Sequence, residues 1–293
     1  MSAPFKVTHV FEGATVKGKV SKAVIDSQQR ITIRLQGIDA TELHYRPTNP
    51  VSKPSAGQKA AFNAANGNFR QPFGETATIE LNKFLSKAGA SPIACVVRTA
   101  VDTPGEVFDT FGRFIGDIIV KIGGKEQNAN QWLAASGWAF PTFYSSMSAQ
   151  EINDLIKLSE KARQAKAGIW KKATSDLTPF DRKMVFRKNG VPDPAKDVGP
   201  AMMPKMFRRR STYGVAKVAN LVSGSLQAYL KAHPDHCFKT SEFLSQGPTA
   251  ATPHLLDQFV TAQSQFTVAA KDLVFQELGS RVIGKNGKPV LSF

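Results

Sequence analysis

The chain is 293 residues long and 42% hydrophobic, with 38 Lys and Arg against 23 Asp and Glu for a formal net charge of +15. Length and hydrophobic share admit two domains with real cores and exclude a disordered chain. The positive excess points to a polyanionic partner, most simply nucleic acid, with an anionic membrane surface as the competitor, while no apolar run is long enough to span a bilayer.

The start of the chain, Met1 to Val7, enters strand-like alternation at once and lacks the charged start and apolar stretch of a secretory signal. Synthesis as a cytoplasmic protein is expected, with export by another route left open. Cys95 and Cys237 are the two cysteines, too few for a disulfide framework, and both are expected to be buried thiols.

Residues 5–40 alternate apolar and polar through Phe5–Phe11, Val16–Val20 and Arg30–Leu35, the period of antiparallel strands with one buried face. Ile31, Ile33 and Leu35 share one face, which leaves Arg34 on the surface or cleft side. Asp39 and Glu42 follow in the turn at the strand's end, where a rigid sheet can present reactive groups. Pro47, Pro50 and Pro54 mark a loop over 44–56, and a helix is expected from Ala56. Thr76 to Leu81 reads as a strand. Ile93–Arg98 and Arg113–Val120 supply the last two of five strands, joined by a loop carrying Asp102 to Phe111. Five strands with interspersed helices make an OB-fold-type barrel within a mixed α+β chain, closed by helices at 128–136 and 148–167.

Beyond Trp170 the pattern changes. Residues 173–210 hold Pro179, Pro192, Pro194, Pro200 and Pro204 among many cations and read as a basic, extended linker. Residues 211–293 read as a small, mostly helical domain. It begins with apolar positions at helical spacing over 211–232 and a short helix near 241–245. A long helix follows from Thr252 and Pro253 to Gly279, with Leu255, Leu256, Phe259, Val260, Phe266, Ala270, Leu273 and Val274 as its stripe. A basic hairpin then turns at Asn286-Gly287.

Two short signatures carry the chemistry, Ile33-Arg34-Leu35-Gln36-Gly37-Ile38-Asp39-Ala40-Thr41-Glu42 and Asp109-Thr110-Phe111-Gly112-Arg113. Arginine grips phosphate oxygens in a planar fork and stays charged at any working pH. A carboxylate can orient or deprotonate an attacking water, and a second acid can hold a hard divalent cation. The signatures, with Glu12-Gly13-Ala14-Thr15 before them and Asn130–Ala139 and Gly168-Ile169-Trp170 after them, resemble the staphylococcal nuclease family over roughly the first 170 residues.

The resemblance implies a phosphodiester-hydrolysing nuclease for DNA, and RNA as a second substrate, with little sequence specificity. Glu42 would act on water while Arg34 and Arg113 bind phosphate. Ca²⁺, or another divalent cation such as Mg²⁺, would sit at Asp39 and the backbone carbonyl of Ala40. Ala14 replaces an acid that ligates the metal in the family. Glu12, two residues earlier, would share its face in a regular strand and reach toward the gap; the alternative is a residue that merely caps or solubilises a turn. Phe111, Phe143 and Tyr144 are candidate stacking rings, against ordinary packing. Lys205, Arg208, Arg209 and Arg210 form a candidate phosphate-binding arm, against a solvated linker. His233, Asp235, His236 and Cys237 lack the second ligand cluster that a zinc site needs. The rival to a nuclease is a non-catalytic protein on a degenerate barrel, binding nucleic acid or docking its C-terminal domain on a partner assembly.

Overall fold

Short strands and well-capped helices divide this chain, and a computed structural model of the protein describes residues 11–19, 21–99, 101, 103–186, 195 and 197–292. Most of the strand expected over 5–11, together with Asp102, Pro192 and Pro194, lies outside them. Among the described residues there are eight α-helices and five small sheets, so the chain is mixed helix and strand.

Period-two alternation yields Thr15–Lys17 and Ser21–Ala23, which pair antiparallel with Val16 opposite Lys22. The expected closed barrel does not form among the described residues. Ile33–Leu35 runs parallel, not antiparallel, to Phe114–Ile122, which also pairs with Cys95–Arg98 and Lys125–Asn128. Ile38–Ala40 belongs to a separate pair with Ala139–Pro141. Closure needs tilted, staggered strands of matching length, and three-residue strands interrupted by turns do not supply them.

Helix α1 (Ala56–Ala65) starts at Ser55, whose side chain and that of Gln58 satisfy each other's backbone N–H groups. Helix α2 (Gly74–Ser86) replaces the strand expected over 76–81. The β-branched Thr76, Thr78 and Ile79 suggest a strand locally, but Ala77, Leu81 and Phe84 fall on one helical face. Phe84 then stacks on Trp132 at 4.4 Å, so packing overrides propensity. A single turn, α3 (Pro104–Val107), interrupts the expected loop. Helices α4 (Ala129–Ala135) and α5 (Ala149–Gln164) fall where expected, capped by Asn128 and by the Ser148–Glu151 pair. The chain leaves α5 through Gly168, where a Cβ would sit 2.1 Å from the Gly137 carbonyl oxygen. Only glycine permits that approach, which accounts for both glycines of the closing motifs.

Helix α6 (Pro204–Val218) begins inside the expected linker and carries Lys205 and Arg208–Arg210 on ordered backbone. Pro204 suits a first helical turn, and Met206, Tyr213, Val215 and Ala216 are buried. Helices α7 (Leu226–Ala232) and α8 (Thr240–Gln246) follow. The long helix expected over 252–278 is absent. In its place stand a strand at His254–Leu255, two 3-10 turns and a strand at Leu273–Phe275. The chain reverses at Thr261–Ser264, where the Thr261 N–H bonds the Gln265 carbonyl and Ser264 takes a φ of 63°. The apolar stripe is still buried, from Leu256 through Val274. Its spacing identified core positions but not their backbone. The hairpin over 281–291 turns at Asn286-Gly287 as expected.

The C-terminal third is woven into the rest. Leu273–Phe275 pairs parallel with Phe143–Tyr144, and Arg281–Ile283 pairs with Thr15–Lys17. One core joins Phe140 and Ile169 to Tyr213, Leu230 and Phe275, and a second joins Ile38 and Phe143 to Phe238 and Val274. The division at 172 is therefore not a break in packing. Both cysteines are free, and Cys95 is exposed where burial was expected. Among the described residues no helix is long and apolar enough to cross a membrane.

Candidate functional site

Arg34 is fixed by the strand that carries it. The buried Asn130 donates to the carbonyls of Gln36 and Gly116 at 3.0 and 3.2 Å and accepts from the Ile118 N–H at 3.3 Å, stitching the two parallel strands together. The Arg34 guanidinium donates to the Tyr144 hydroxyl at 2.5 Å and lies 4.6 Å from the Tyr144 ring. Burial opposes its charge, but the Tyr144 oxygen and the nearby Asp39 and Asp109 outweigh burial and raise its pKa.

Asp39 and Glu42 share one arginine from α6. Arg208 donates through Nη2 to Asp39 at 3.0 Å and through Nη1 to Glu42, so a single guanidinium forks across both carboxylates. Side-chain exposure is 29% for Arg208, 15% for Asp39 and 20% for Glu42. The two acids respond in opposite directions. Burial raises the Asp39 pKa, but Arg208 and Arg34 both face it and leave it below the usual carboxylate value. Glu42 has only Arg208 as a strong partner and the Asp39 charge beside it, so burial keeps its pKa raised.

Arg113 sits on a loop built by Asp109. The Asp109 carboxylate accepts from the N–H groups of Phe111 and Arg113 at 2.9 and 3.0 Å and from Arg113 Nε at 2.7 Å. That local bonding closes the turn and aims the guanidinium. Phe111 at the tip is 47% exposed. Arg113 lies 5.7 Å from its ring and Lys19 5.5 Å on an adjoining segment, while Lys22 packs beside Gly112. Lys19 reaches the ring because its N–H bonds the Thr110 carbonyl at 2.8 Å. The segment lies so close there that a Cβ on Gly18 would fall 2.6 Å from the same oxygen.

Glu42, Arg208, Asp39, Arg34, Asp109 and Arg113 thus form a line of alternating charge. The three expected catalytic residues lie along it, with Arg208, Asp39 and Asp109 between them. Residues 32–172 match the family model described as staphylococcal nuclease homologue. That segment is a staphylococcal nuclease homologue domain. No curated protein matches the chain.

Glu12-Gly13-Ala14-Thr15 precedes the matched segment of the nuclease-homologue domain. Ala14 is 2% exposed in an apolar cluster with Phe11, Val16 and Phe108. Glu12 is exposed in a turn rather than on a strand, so it does not share a face with Ala14. Ala40 is in the strand paired with Ala139. Among the described residues no three His, Cys, Asp or Glu side chains group as metal ligands. With Asp39 and Glu42 both gripped by a guanidinium, the donor set does not fit the divalent cation that the family implies.

Phe143 is fully buried, and Tyr144 is half-buried with Arg34 against its ring, so neither ring is exposed as Phe111 is. The basic cluster is not a solvated arm. Lys205 pairs with Asp235 at 3.3 Å and lies 4.1 Å from the Phe275 ring; burial pulls its pKa down to about 8 against the Asp235 charge. Arg209 also binds Asp235, at 2.6 Å through Nη2, and Arg210 donates to the Leu177 and Thr178 carbonyls. His233 stacks on Tyr229 and bonds its carbonyl, and Cys237 is buried. Sequence reading gave Lys19 no role and quoted Asn130 and Asp109 within their motifs without assigning what they hold. The Asp109-x-x-Gly-Arg spacing signalled the last of these.

Proposed function

We propose that the protein binds nucleic acid through the face around Phe111, with Arg113, Lys19 and Lys22 contacting phosphates while the ring stacks on a base. One observation carries this reading: a large exposed aromatic ring with cations set around it, on a loop rigidified by Asp109. Exposed rings are sequence-tolerant platforms, and flanking cations bind the backbone by counterion release. The nuclease-homologue domain and the net charge of +15 agree with such a partner.

Phosphodiester hydrolysis on DNA, and secondarily RNA, is the second reading, favoured by the presence of Arg34, Glu42 and Arg113 together. Glu42 would have to leave Arg208 before it could take a proton from water. Anisotropy titration of a labelled single-stranded oligonucleotide tests binding. Affinity is expected to fall linearly with salt on logarithmic axes, and an absence of binding at low salt contradicts the reading. The same oligonucleotide, run on a gel after incubation, separates binding from cleavage.

A further inference from the structure

We propose that Arg208 is itself the cation of the carboxylate site, standing between Asp39 and Glu42 in place of a divalent metal ion. Its two terminal nitrogens go to different carboxylates, so one guanidinium spans the gap a metal ion would bridge. Two carboxylates are balanced by two guanidiniums, because Asp39 also feels Arg34. A dication entering that site would meet no excess negative charge and would have to displace Arg208, leaving a partly buried guanidinium facing it.

The donor is held as firmly as its acceptors. Arg208 lies on a helix whose neighbouring cations are anchored, Lys205 and Arg209 on Asp235 and Arg210 on two backbone carbonyls. The Arg208 carbonyl accepts from the Thr212 hydroxyl at 2.9 Å, and Thr212 in turn meets the Tyr45 hydroxyl at 2.8 Å. Ala14 completes the argument from the other side. It offers no donor and sits in an apolar cluster, so the motif that precedes the domain contributes no carboxylate at that position. The carboxylate site is thereby neutralised without a metal ion, and oligonucleotide binding at the Phe111 face should be indifferent to chelator.

The test uses the full chain without nucleic acid, so it can fail independently of the proposed function, which rests on the Phe111 face. Wild type is titrated with CaCl₂ by calorimetry up to about 10 mM and melted with CaCl₂ or with chelator. No saturable heat and no change in Tm are expected. Arg208→Ala frees both carboxylates and should gain a calcium-dependent rise of roughly 2–4 °C, lost again when Asp39→Asn is added. Saturable calcium binding by wild type overturns the proposal, as does a folded Arg208→Ala that ignores calcium. If Arg208→Ala does not fold, the wild-type titration alone decides.

Discussion

Replacing Arg208 with Met removes the guanidinium but keeps an apolar stem of similar length. Two carboxylates, 15% and 20% exposed, then lose their shared partner. Removing one member of a fully buried pair costs about 3–5 kcal/mol, and an exposed pair is worth about 1 kcal/mol or less. These groups lie nearer the buried limit, so a loss of about 2–4 kcal/mol is expected, or a fall in Tm of roughly 5–12 °C. The loss should depend on pH. The Asp39 pKa is lowered from 3.8, so its stabilisation is present above that value and lost as pH falls through the folded value. Glu42 is raised from 4.5, so its contribution has the opposite sign, present at low pH and lost as pH rises through the folded value. Without Arg208 both acids titrate higher. The gap between variant and wild type should therefore be widest near about pH 7 and shrink toward about pH 4, as Glu42 and then Asp39 take up protons. Urea midpoints at several pH values measure it. A gap under about 0.5 kcal/mol at neutral pH, or one that does not change with acid, refutes the reasoning.

Three further outcomes follow from the packing. Ala14→Asp places a carboxylate among Phe11, Val16 and Phe108 and should cost about 3 kcal/mol or more by urea melt; a stable variant that binds calcium would contradict the assigned surroundings of Ala14. Asn130→Ala strips three bonds from the strands beside Arg34 and should cost about 2–3 kcal/mol, which a denaturant midpoint shift of less than about a third of that would refute. A chain ending at 172 loses the strands that pair with Phe143–Tyr144 and Thr15–Lys17 and should show no cooperative melt. A sharp calorimetric transition in that fragment would show that the N-terminal part folds alone.

What the sequence revealed was whatever its residues determine locally. Asp109 and Arg113 close their own turn, Ser148 and Glu151 cap their own helix, and Gly137 and Gly168 are required by one close contact. What it hid depends on distant partners. Arg208 meets Asp39 from 169 positions away, and nothing in a run of cations announces the acids that hold it. The stripe from Leu256 to Val274 correctly named core residues, but periodicity alone could not distinguish one helix from turns and strands that pack the same side chains. For Phe143 and Tyr144 stacking and ordinary packing stayed open because their parallel partner, Leu273–Phe275, lies in the last part of the chain.

The measurement that bears most directly on the account is oligonucleotide affinity of the full chain in excess chelator, for wild type and for Phe111→Ala. Wild type should bind as tightly as without chelator. The variant should keep its fold and lose about 1–3 kcal/mol of binding, on the order of tenfold or more in Kd. Equal affinity for the two proteins, or wild-type binding that vanishes with chelator, would contradict a metal-free platform centred on Phe111.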